Sequence, residues 1–277
     1  MKIFFNGDYY EHNASLLKTF DRSFLFGDGI FTTIKVERLF PLFLDQHIAR
    51  LRSSCRFFRI KFSDPGFSTV INQLLNKNHL NNARVKIIVS RGVDFKNRIY
   101  KYEDQIPTVT VFAFPLSTSP SKPVRLCISP EPRGNESIYK HKTTSYLQNL
   151  LHKTCAQERG FDDAIIFNWE KQVLETSTAN LFFIIEDKVI TPPKELPLLN
   201  GIMRQNLLSF GSVKTYCFLE DYLTQKDLKK AEGAFITSAI TEICPVKRIE
   251  NIEFSLEKPK AIRKEWLRIR RTSLQKG

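Results

Sequence analysis

The sequence has no hydrophobic run long enough to cross a membrane. Its longest apolar stretches, at 163–167 and 180–185, fall far short of the roughly 20 residues that a spanning helix needs. The first residues, Met1-Lys-Ile-Phe-Phe-Asn-Gly-Asp, become polar at once and offer no small-residue cleavage site, so we expect no signal peptide. These features predict a cytoplasmic protein that does not associate with membranes.

Cysteine is scarce, and neither cysteine nor histidine has metal-ligand spacing. The odd number of cysteines and the lack of a C-x-x-C pair indicate reduced core residues rather than disulfides. The five histidines show no zinc-binding interval, so we expect no metal site. The five cysteines are Cys55, Cys127, Cys155, Cys217 and Cys244.

Glycine-rich and nucleophile motifs are also missing. Gly27-Asp-Gly29 lacks the third glycine and the preceding strand of a dinucleotide or phosphate-binding loop. No G-x-S-x-G is present, which disfavours a serine hydrolase of the nucleophile-elbow type. A tight turn before a strand is the simpler interpretation of the glycine pair.

The excess of positive charge is concentrated at one end of the chain. The 277 residues include 42 Lys and Arg against 29 Asp and Glu, a net charge of +13. The last twenty residues hold eight Lys and Arg and one Glu, a net +7. There Ile262, Trp266 and Ile269 are spaced as the apolar stripe of an amphipathic helix with a solvated cationic face. We therefore expect a small anionic ligand and no nucleic acid partner.

Hydrophobic periodicity predicts alternating strands and helices in two α/β domains. Helical spacing places Leu44, Ile48, Leu51, Cys55 and Phe58 on one side of a first helix. A second helix is predicted over 143–160, ended by a glycine, with a buried side formed by Leu147, Leu150, Leu151 and Cys155. Strands are predicted at 2–6, 29–37, 83–90, 107–114, 124–129, 164–167, 180–186, 213–219 and 234–237.

The best linker in the sequence is a stretch rich in proline and serine, Pro115-Leu-Ser-Thr-Ser-Pro-Ser-Lys-Pro123. It divides the chain into a smaller N-terminal α/β domain over 1–115, an interdomain linker over 116–123 and a larger C-terminal cofactor-binding domain over 124–277. No internal repeat is evident.

Lys142 is the most reactive candidate in the chain. It lies at the predicted start of the 143–160 helix, where the macrodipole disfavours an ammonium and favours the neutral amine that forms Schiff bases. The alternative is a solvated lysine in a basic turn, because Lys140 and His141 are its neighbours. Local sequence alone favours the solvated lysine.

An ordered set of motifs changes that balance in favour of a catalytic lysine. Together these motifs resemble the class IV aminotransferases, the fold-type IV enzymes that use pyridoxal 5′-phosphate. The resemblance covers nearly the whole chain and implies a two-domain α/β (α+β) fold like that of D-amino-acid aminotransferase. The motifs are Asp21-Arg-Ser-Phe-Leu-Phe-Gly-Asp-Gly29-Ile-Phe-Thr-Thr33, His47-Ile-Ala-Arg50-Leu51, Tyr139-Lys-His-Lys142-Thr-Thr-Ser-Tyr146, Leu174-Glu175-Thr-Ser-Thr-Ala-Asn180-Leu-Phe182, Leu199-Asn-Gly201-Ile-Met-Arg204 and Phe235-Ile-Thr-Ser-Ala-Ile-Thr-Glu-Ile-Cys-Pro245-Val246.

The resemblance implies a role for three charged residues. Lys142 matches the family lysine that carries the cofactor and then moves protons at the substrate carbon. Glu175 matches the carboxylate that pairs with the pyridine nitrogen and keeps the ring an electron sink. Arg50 matches the phosphate-binding arginine. An exposed hairpin glutamate and a surface arginine are the respective alternatives.

Two further segments match the phosphate-binding loops of the family. Gly201, Ile202 and Met203 are expected to open a helix whose backbone N–H groups face the phosphate. Ala239 and Ile240 match the second loop, where relatives often have a hydroxyl residue, so here only backbone donors are expected.

The resemblance leaves the reaction open among three activities: branched-chain aminotransferase, D-amino-acid aminotransferase, and 4-amino-4-deoxychorismate lyase, which releases pyruvate and leaves 4-aminobenzoate for folate synthesis. The segment around Thr33 is most similar to the lyases, in which a matching threonine is a catalytic proton donor or proton-positioning group. Asn200-Gly-Ile-Met-Arg-Gln205 is also lyase-like. We therefore expect a lyase, with a transaminase as the alternative.

Some positions depart from the lyase pattern. Ser238 stands at a substrate-binding position where many lyases have Asn, Ser145 stands where Asn is common, and Thr241-Glu242 is similar to the transaminase loop. For the substrate carboxylates we expect Lys96 and Arg98 as cationic partners, with a solvated loop as the alternative.

Because the family completes its active site with a second subunit, we expect a homodimer. A catalytically silent homologue that binds the cofactor only as a stabilising ligand is a further alternative.

Overall fold

A computed structural model of the protein describes residues 1–96, 105–116, 122–213 and 216–274. These residues form two compact units. The first contains the described residues up to 116 together with His141–Tyr146, and the second contains the described residues over 122–140 and from 147 onward. Most of the expected linker over 116–123 lies outside the described residues, so that boundary stays a prediction.

The first unit is built on a six-stranded antiparallel sheet. Its order is β2-β1-β6-β5-β3-β4. The strands are β1 (Lys2–Phe5), β2 (Asp8–Glu11), β3 (Gly29–Glu37), β4 (Phe40–Pro41), β5 (Ala83–Ser90) and β6 (Thr108–Pro115). Along β3 and β5, successive side chains alternate between the two faces of the sheet. One face is fully buried against helices, and the other carries polar and aromatic side chains.

Three helices accompany this sheet: α1 (Arg22–Phe26), α2 (Leu44–Phe57) and α3 (Phe67–Lys77). The first predicted helix is confirmed as α2, because Ile48, Leu51 and Cys55 are buried in the core of the unit. Helix α3 adds Val70, Ile71, Leu74 and Leu75 to the same core. Burial of such aliphatic side chains is the main favourable contribution to the stability of the unit.

Residues 141–146 belong to the first unit, whereas the predicted boundaries assign them to the second domain. Their backbone pairs with β3: the N–H of Phe31 donates to the carbonyl of Lys142 at 2.8 Å, and the N–H of Thr144 donates to that of Gly29 at 2.8 Å. His141 adds a contact to α2 by stacking on Phe57, with ring centroids 4.3 Å apart. This pairing is non-local, so helical periodicity could not reveal it.

The second unit is built on a ten-stranded mixed sheet. Strands β10, β14, β15, β7, β8 and β9 follow one another by pairing, and an extra β9–β10 pairing closes them into a ring. The strands are β7 (Val124–Ile128), β8 (Asp163–Phe167), β9 (Val173–Thr176), β10 (Asn180–Ile185), β11 (Lys188–Thr191), β12 (Ser212–Val213), β13 (Tyr216–Glu220), β14 (Gly233–Ser238), β15 (Glu242–Ile249) and β16 (Ile252–Glu253). The closure is barrel-like and leaves β11, β13 and β12 as a lateral extension.

Helix α4 (Leu147–Glu158) starts four residues later than predicted, and its buried side is not the predicted one. Leu147, Leu150 and Leu151 are 79%, 54% and 46% exposed, and the buried residues are His152 and Ala156. The leucine spacing correctly indicated a helix, but these leucines do not face the core of their own unit. Cys155 is only partly buried and Cys217 is exposed, against the expectation of core cysteines, although all five cysteines are free thiols.

The second unit also contains α5 (Ile202–Ser209) and α6 (Glu257–Leu274). Ile262 and Trp266 are buried as the stripe predicts, whereas Arg270 is buried too and pairs with Glu242 at 3.1 Å. The cationic side of this helix is therefore not entirely solvated. Within the described parts of the chain, no helix has the length and apolar content that a bilayer span requires.

A glycine substitution tests how closely 141–146 packs against the turn before β3. Gly27 has a φ of +67° and a Cβ there would lie 3.0 Å from the Cα of Ser145, whereas Gly66 has a φ of +80° and only Thr69 Oγ1 at 4.0 Å. We expect Gly27→Ala to destabilise the protein by about 1 kcal/mol more than Gly66→Ala, since both share the left-handed strain and only Gly27→Ala adds a clash. Urea unfolding of both variants measures the difference, and equal losses would contradict the close packing.

Candidate active site

Lys142 lies in the segment that pairs with β3, with its amine beside two aromatic rings. Its Nζ is 4.6 Å from the ring centroid of Phe31 and 5.2 Å from that of Tyr146. The two rings meet edge to face, 5.5 Å apart. Because α4 begins only at Leu147, Lys142 is not at a helix N-terminus. The proposed effect of the helix dipole on its amine is therefore wrong, since that effect is confined to the first turn.

Thr33 shares a face of β3 with Phe31, and an unpredicted lysine, Lys86, lies near the Phe31 ring. Thr33 projects from the same face of β3 as Phe31 and pairs in register with Lys86 on β5. The Nζ of Lys86 is 4.5 Å from the Phe31 centroid. Burial lowers the pKa of Lys86, and the charge of Arg84 lowers it further. The sequence feature that could have indicated Lys86 is its position in a strand between two apolar residues, Val85 and Ile87, which both lie in the core.

Arg50 takes part in a buried polar network with the opposite face of β3. One Nη2 N–H of Arg50 donates to Thr32 Oγ1 at 2.9 Å, and the same oxygen is 2.7 Å from His47 Nδ1. Burial lowers the pKa of Arg50 to about 10, so the guanidinium stays charged at neutral pH. The pKa of His47 is well below its ordinary value because of burial and because of the charges of Arg50 and Lys142.

The predicted carboxylate partners are not part of this described geometry. Lys96 is exposed, and its backbone N–H donates to Asp94 Oδ1 at 3.2 Å. Arg98 lies outside the described residues. The role of both residues stays a prediction, and Lys86 is a described cation whose amine contacts the same Phe31 ring as that of Lys142.

Glu175, in the second unit, is a buried carboxylate whose oxygens are all engaged. Arg133 donates to Oε1 at 2.6 Å, while Asn180 Nδ2 and the Leu199 N–H donate to Oε2 at 3.2 and 3.3 Å. Arg133 also donates to the carbonyl of Pro197 at 3.0 Å. A buried charge is tolerated only with such partners. Arg133 is not predicted from the sequence, because nothing in the sequence around Arg133 indicates a partner 42 residues away.

The predicted N-terminal end of α5 is confirmed. Gly201 is the N-cap residue and has no side chain to cap the helix, so the first backbone N–H groups, those of Ile202 and Met203, have no acceptor from the N-cap side chain. A side chain at position 201 would collide with Asn180 Oδ1. Arg204 holds the turn by donating to Asn200 Oδ1 at 3.0 Å and to the Pro192 carbonyl at 2.7 Å, and it also pairs with Glu220.

Ala239 and Ile240 lie in the turn that joins β14 to β15. Ser238 Oγ is 2.8 Å from Thr241 Oγ1 and accepts from the Thr241 N–H at 3.2 Å, so its hydroxyl stabilises the turn. Glu242, which follows, adopts a φ of 56° and accepts from Trp266 Nε1 at 2.8 Å. Helix α6 is thus hydrogen-bonded to the residue that follows this turn.

Comparison with known proteins places the chain in a family. The amino-transferase class IV family matches residues 29–249. The chain belongs to the class IV aminotransferases. The predicted family and its fold-type IV α/β architecture are both confirmed.

Individual class IV relatives differ in their reactions. A D-alanine aminotransferase of Bacillus licheniformis is 28% identical over 90% of this chain and 89% of its own length. An aminodeoxychorismate lyase of Bacillus subtilis is 28% identical over 94% and 90%. A Legionella pneumophila protein provisionally assigned as a 4-amino-4-deoxychorismate lyase superposes with a TM-score of 0.85 at 30% identity, over 93% of this chain and 96% of its own. Overall identity therefore does not separate lyase from transaminase.

The donor set of this class IV aminotransferase fits pyridoxal phosphate, the cofactor that the family implies. A primary amine beside aromatic rings suits an aldehyde, and a carboxylate already fixed by three donors suits a pyridinium nitrogen. The start of α5 in the second unit and the charged Arg50 in the first unit are each suited to bind a phosphate. A side chain at position 201 would collide with Asn180, so the glycine there allows the start of α5 to lie next to Asn180.

The pairing of Glu175 is tested by removing its cation. Arg133→Met leaves a buried carboxylate uncompensated, and we expect the free energy of unfolding to fall by about 3–5 kcal/mol. Arg125→Met is the matched control, because Arg125 and Asp162 form an exposed pair whose loss costs about 1 kcal/mol or less. Urea unfolding without cofactor gives both values. A loss below about 1 kcal/mol in Arg133→Met would contradict the buried pair.

Proposed function

We propose that the protein is a pyridoxal-phosphate-dependent 4-amino-4-deoxychorismate lyase, which produces 4-aminobenzoate and pyruvate for folate synthesis. The observation that carries this proposal is the position of Thr33. Its side chain leaves β3 on the face of Phe31, whose ring contacts the amine of Lys142. A hydroxyl on that face of the sheet can hold or donate a proton at the leaving oxygen, as the lyases require.

The cofactor supplies an electron sink for a substrate carbanion when it is bound. Lys142 and Arg50 of the first unit would hold its aldehyde and its phosphate, respectively. Glu175 of the second unit would pair with its ring nitrogen. The backbone N–H groups of Ile202, Met203, Ala239 and Ile240 would be further donors to the phosphate.

The chemistry of the lyase then follows from residues of the first unit. Lys142 removes the proton from the substrate carbon that bears the nitrogen. The adjacent C–O bond breaks with its electron pair moving to the oxygen, which leaves as the enol of pyruvate while Thr33 positions a proton there. The two products contain all the atoms of the substrate, so no keto acid is consumed. The ammonium of Lys86 is a suitable partner for a substrate carboxylate.

The alternative function is a class IV transaminase acting on branched-chain or D-amino acids with a 2-keto-acid acceptor. The equal identity to a D-alanine aminotransferase and the buried Glu242 of the transaminase-like Thr241-Glu242 pair favour it. A transaminase would leave Thr33 as a pocket residue without a role in proton transfer.

A product assay separates the two reactions. Given 4-amino-4-deoxychorismate and no keto acid, we expect the cofactor-loaded protein to release pyruvate and 4-aminobenzoate in equal amounts. Lys142→Ala should abolish release, Thr33→Val should lower kcat about a hundredfold, and Lys140→Ala is the control for a neighbouring lysine. No product here, with keto-acid-dependent loss of a D- or branched-chain amino acid, would reject the lyase in favour of the transaminase.

We also propose that the protein forms a homodimer, as the family resemblance implies. The exposed apolar face of α4, made of Leu147, Leu150 and Leu151, supports a self-association surface. A contiguous apolar patch on one helix face is unfavourable in water, and a two-fold axis would place the same patch of a second copy against it.

Charge placed on this face should dissociate the dimer. We expect Leu150→Lys to sediment as a monomer under conditions where the wild type sediments as a dimer, because two lysines would be buried per interface. Leu39→Lys is the matched control, since Leu39 is a 46% exposed leucine outside the α4 face. Equal sedimentation of Leu150→Lys and wild type would show that α4 is not the interface.

A further inference from the structure

We infer that Thr32 and His47 are positioning residues that hold the Arg50 guanidinium in place for the cofactor phosphate. This inference rests on the proposed phosphate-binding role of Arg50. It assigns a role to two buried polar residues that the proposed chemistry does not otherwise use, and it predicts that they affect phosphate recognition specifically.

The three side chains come from two elements. His47 and Arg50 are three residues apart on α2, so they lie on the same side of the helix, and Thr32 reaches them from β3. Thr32 and His47 are 0% and 1% exposed. Thr32 Oγ1 lies 2.9 Å from Arg50 Nη2 and 2.7 Å from His47 Nδ1. The hydroxyl therefore joins the arginine to the histidine.

The available protons fix the direction of the hydrogen bond from Arg50 to Thr32, and the ionisation of His47 supports the direction that we assign to the hydrogen bond from Thr32. Arg50 has only donors, so Thr32 Oγ1 must accept from it. The single hydroxyl proton of Thr32 is then free to be donated to His47 Nδ1, which requires an unprotonated Nδ1 and places the ring proton on Nε2. Burial and the charges of Arg50 and Lys142, which keep the pKa of His47 well below its ordinary value, agree with a neutral ring. We therefore assign the network an arrangement in which Arg50 donates to Thr32 Oγ1 and the Thr32 hydroxyl donates to His47 Nδ1.

This arrangement leaves most of the guanidinium available for an anion. Thr32 uses one of the five N–H donors of Arg50, and the remaining donors keep the planar geometry that suits phosphate oxygens. An arginine held in advance loses less conformational freedom on binding than a mobile one. Removing the hydroxyl should therefore weaken phosphate binding while leaving the rest of the cofactor contacts intact.

The test compares pyridoxal phosphate with pyridoxal, which lacks only the phosphate. Equilibrium dialysis of the apoprotein gives the Kd of each ligand without any need for turnover, and the ratio of the two isolates the phosphate contribution. We expect Thr32→Val, which keeps the shape but not the hydroxyl, to lower this preference for the phosphorylated ligand about tenfold, or ~1.4 kcal/mol. His47→Leu, which removes the acceptor, should have a similar effect.

Two controls make the comparison specific. Thr32→Ser retains a hydroxyl and should keep the preference within about twofold of the wild type, as should Thr69→Val at an exposed threonine of α3. Thermal unfolding of each apoprotein identifies variants that lose the fold. If Thr32→Val fails to fold, the comparison of His47→Leu with His47→Asn, which retains an acceptor, replaces it.

Arg50→Gln separates failure of this inference from failure of the proposed function. If Arg50→Gln leaves the preference unchanged, Arg50 does not bind the phosphate, and both the proposed role of Arg50 and this inference are rejected. If Arg50→Gln removes the preference while Thr32→Val and His47→Leu retain it, Arg50 binds phosphate without their help and only this inference is overturned.

Discussion

Two backbone hydrogen bonds between β3 and residues 141–146 determine where the amine of Lys142 lies. They join Phe31 to Lys142 and Gly29 to Thr144, and the glycines of the preceding turn permit the close approach of Ser145 and Thr144. The amine of Lys142 consequently lies over Phe31, on the face that also carries Thr33. The chemistry of the first unit depends on this pairing, because residues 141–146 are far from β3 in sequence.

In the second unit, the carboxylate of Glu175 is buried among hydrogen-bond donors. Arg133, Asn180 and the Leu199 N–H occupy the oxygens of Glu175, and Asn180 also donates to the Leu199 carbonyl at 2.7 Å. Asn180 thereby links Glu175 to the turn that ends at Gly201 and opens α5. One polar cluster therefore holds the Glu175 carboxylate and the start of α5, and a Cβ at Gly201 would collide with Asn180 Oδ1 in that cluster.

Local patterns predicted much of this structure, and contacts between distant residues account for most of what they missed. Alternation located β3 and β5 at their observed bounds, and helical spacing located α2. The same spacing put Leu147 and Leu150 in the core, because a periodic pattern shows that a face is apolar but not what covers it. The ordered motifs predicted the family, which the comparisons confirm, whereas the partners Arg133 and Lys86 depend on pairings that no local pattern records.

The central claim is that Lys142 is the lysine that carries the cofactor. Lys86 provides a demanding comparison, because its amine lies equally close to the ring of Phe31. The most direct measurement is borohydride reduction of the protein loaded with pyridoxal phosphate, followed by peptide mass spectrometry to locate the modified lysine. We expect a single modification, at Lys142. Modification at Lys86 or Lys140 with Lys142 unmodified would contradict it.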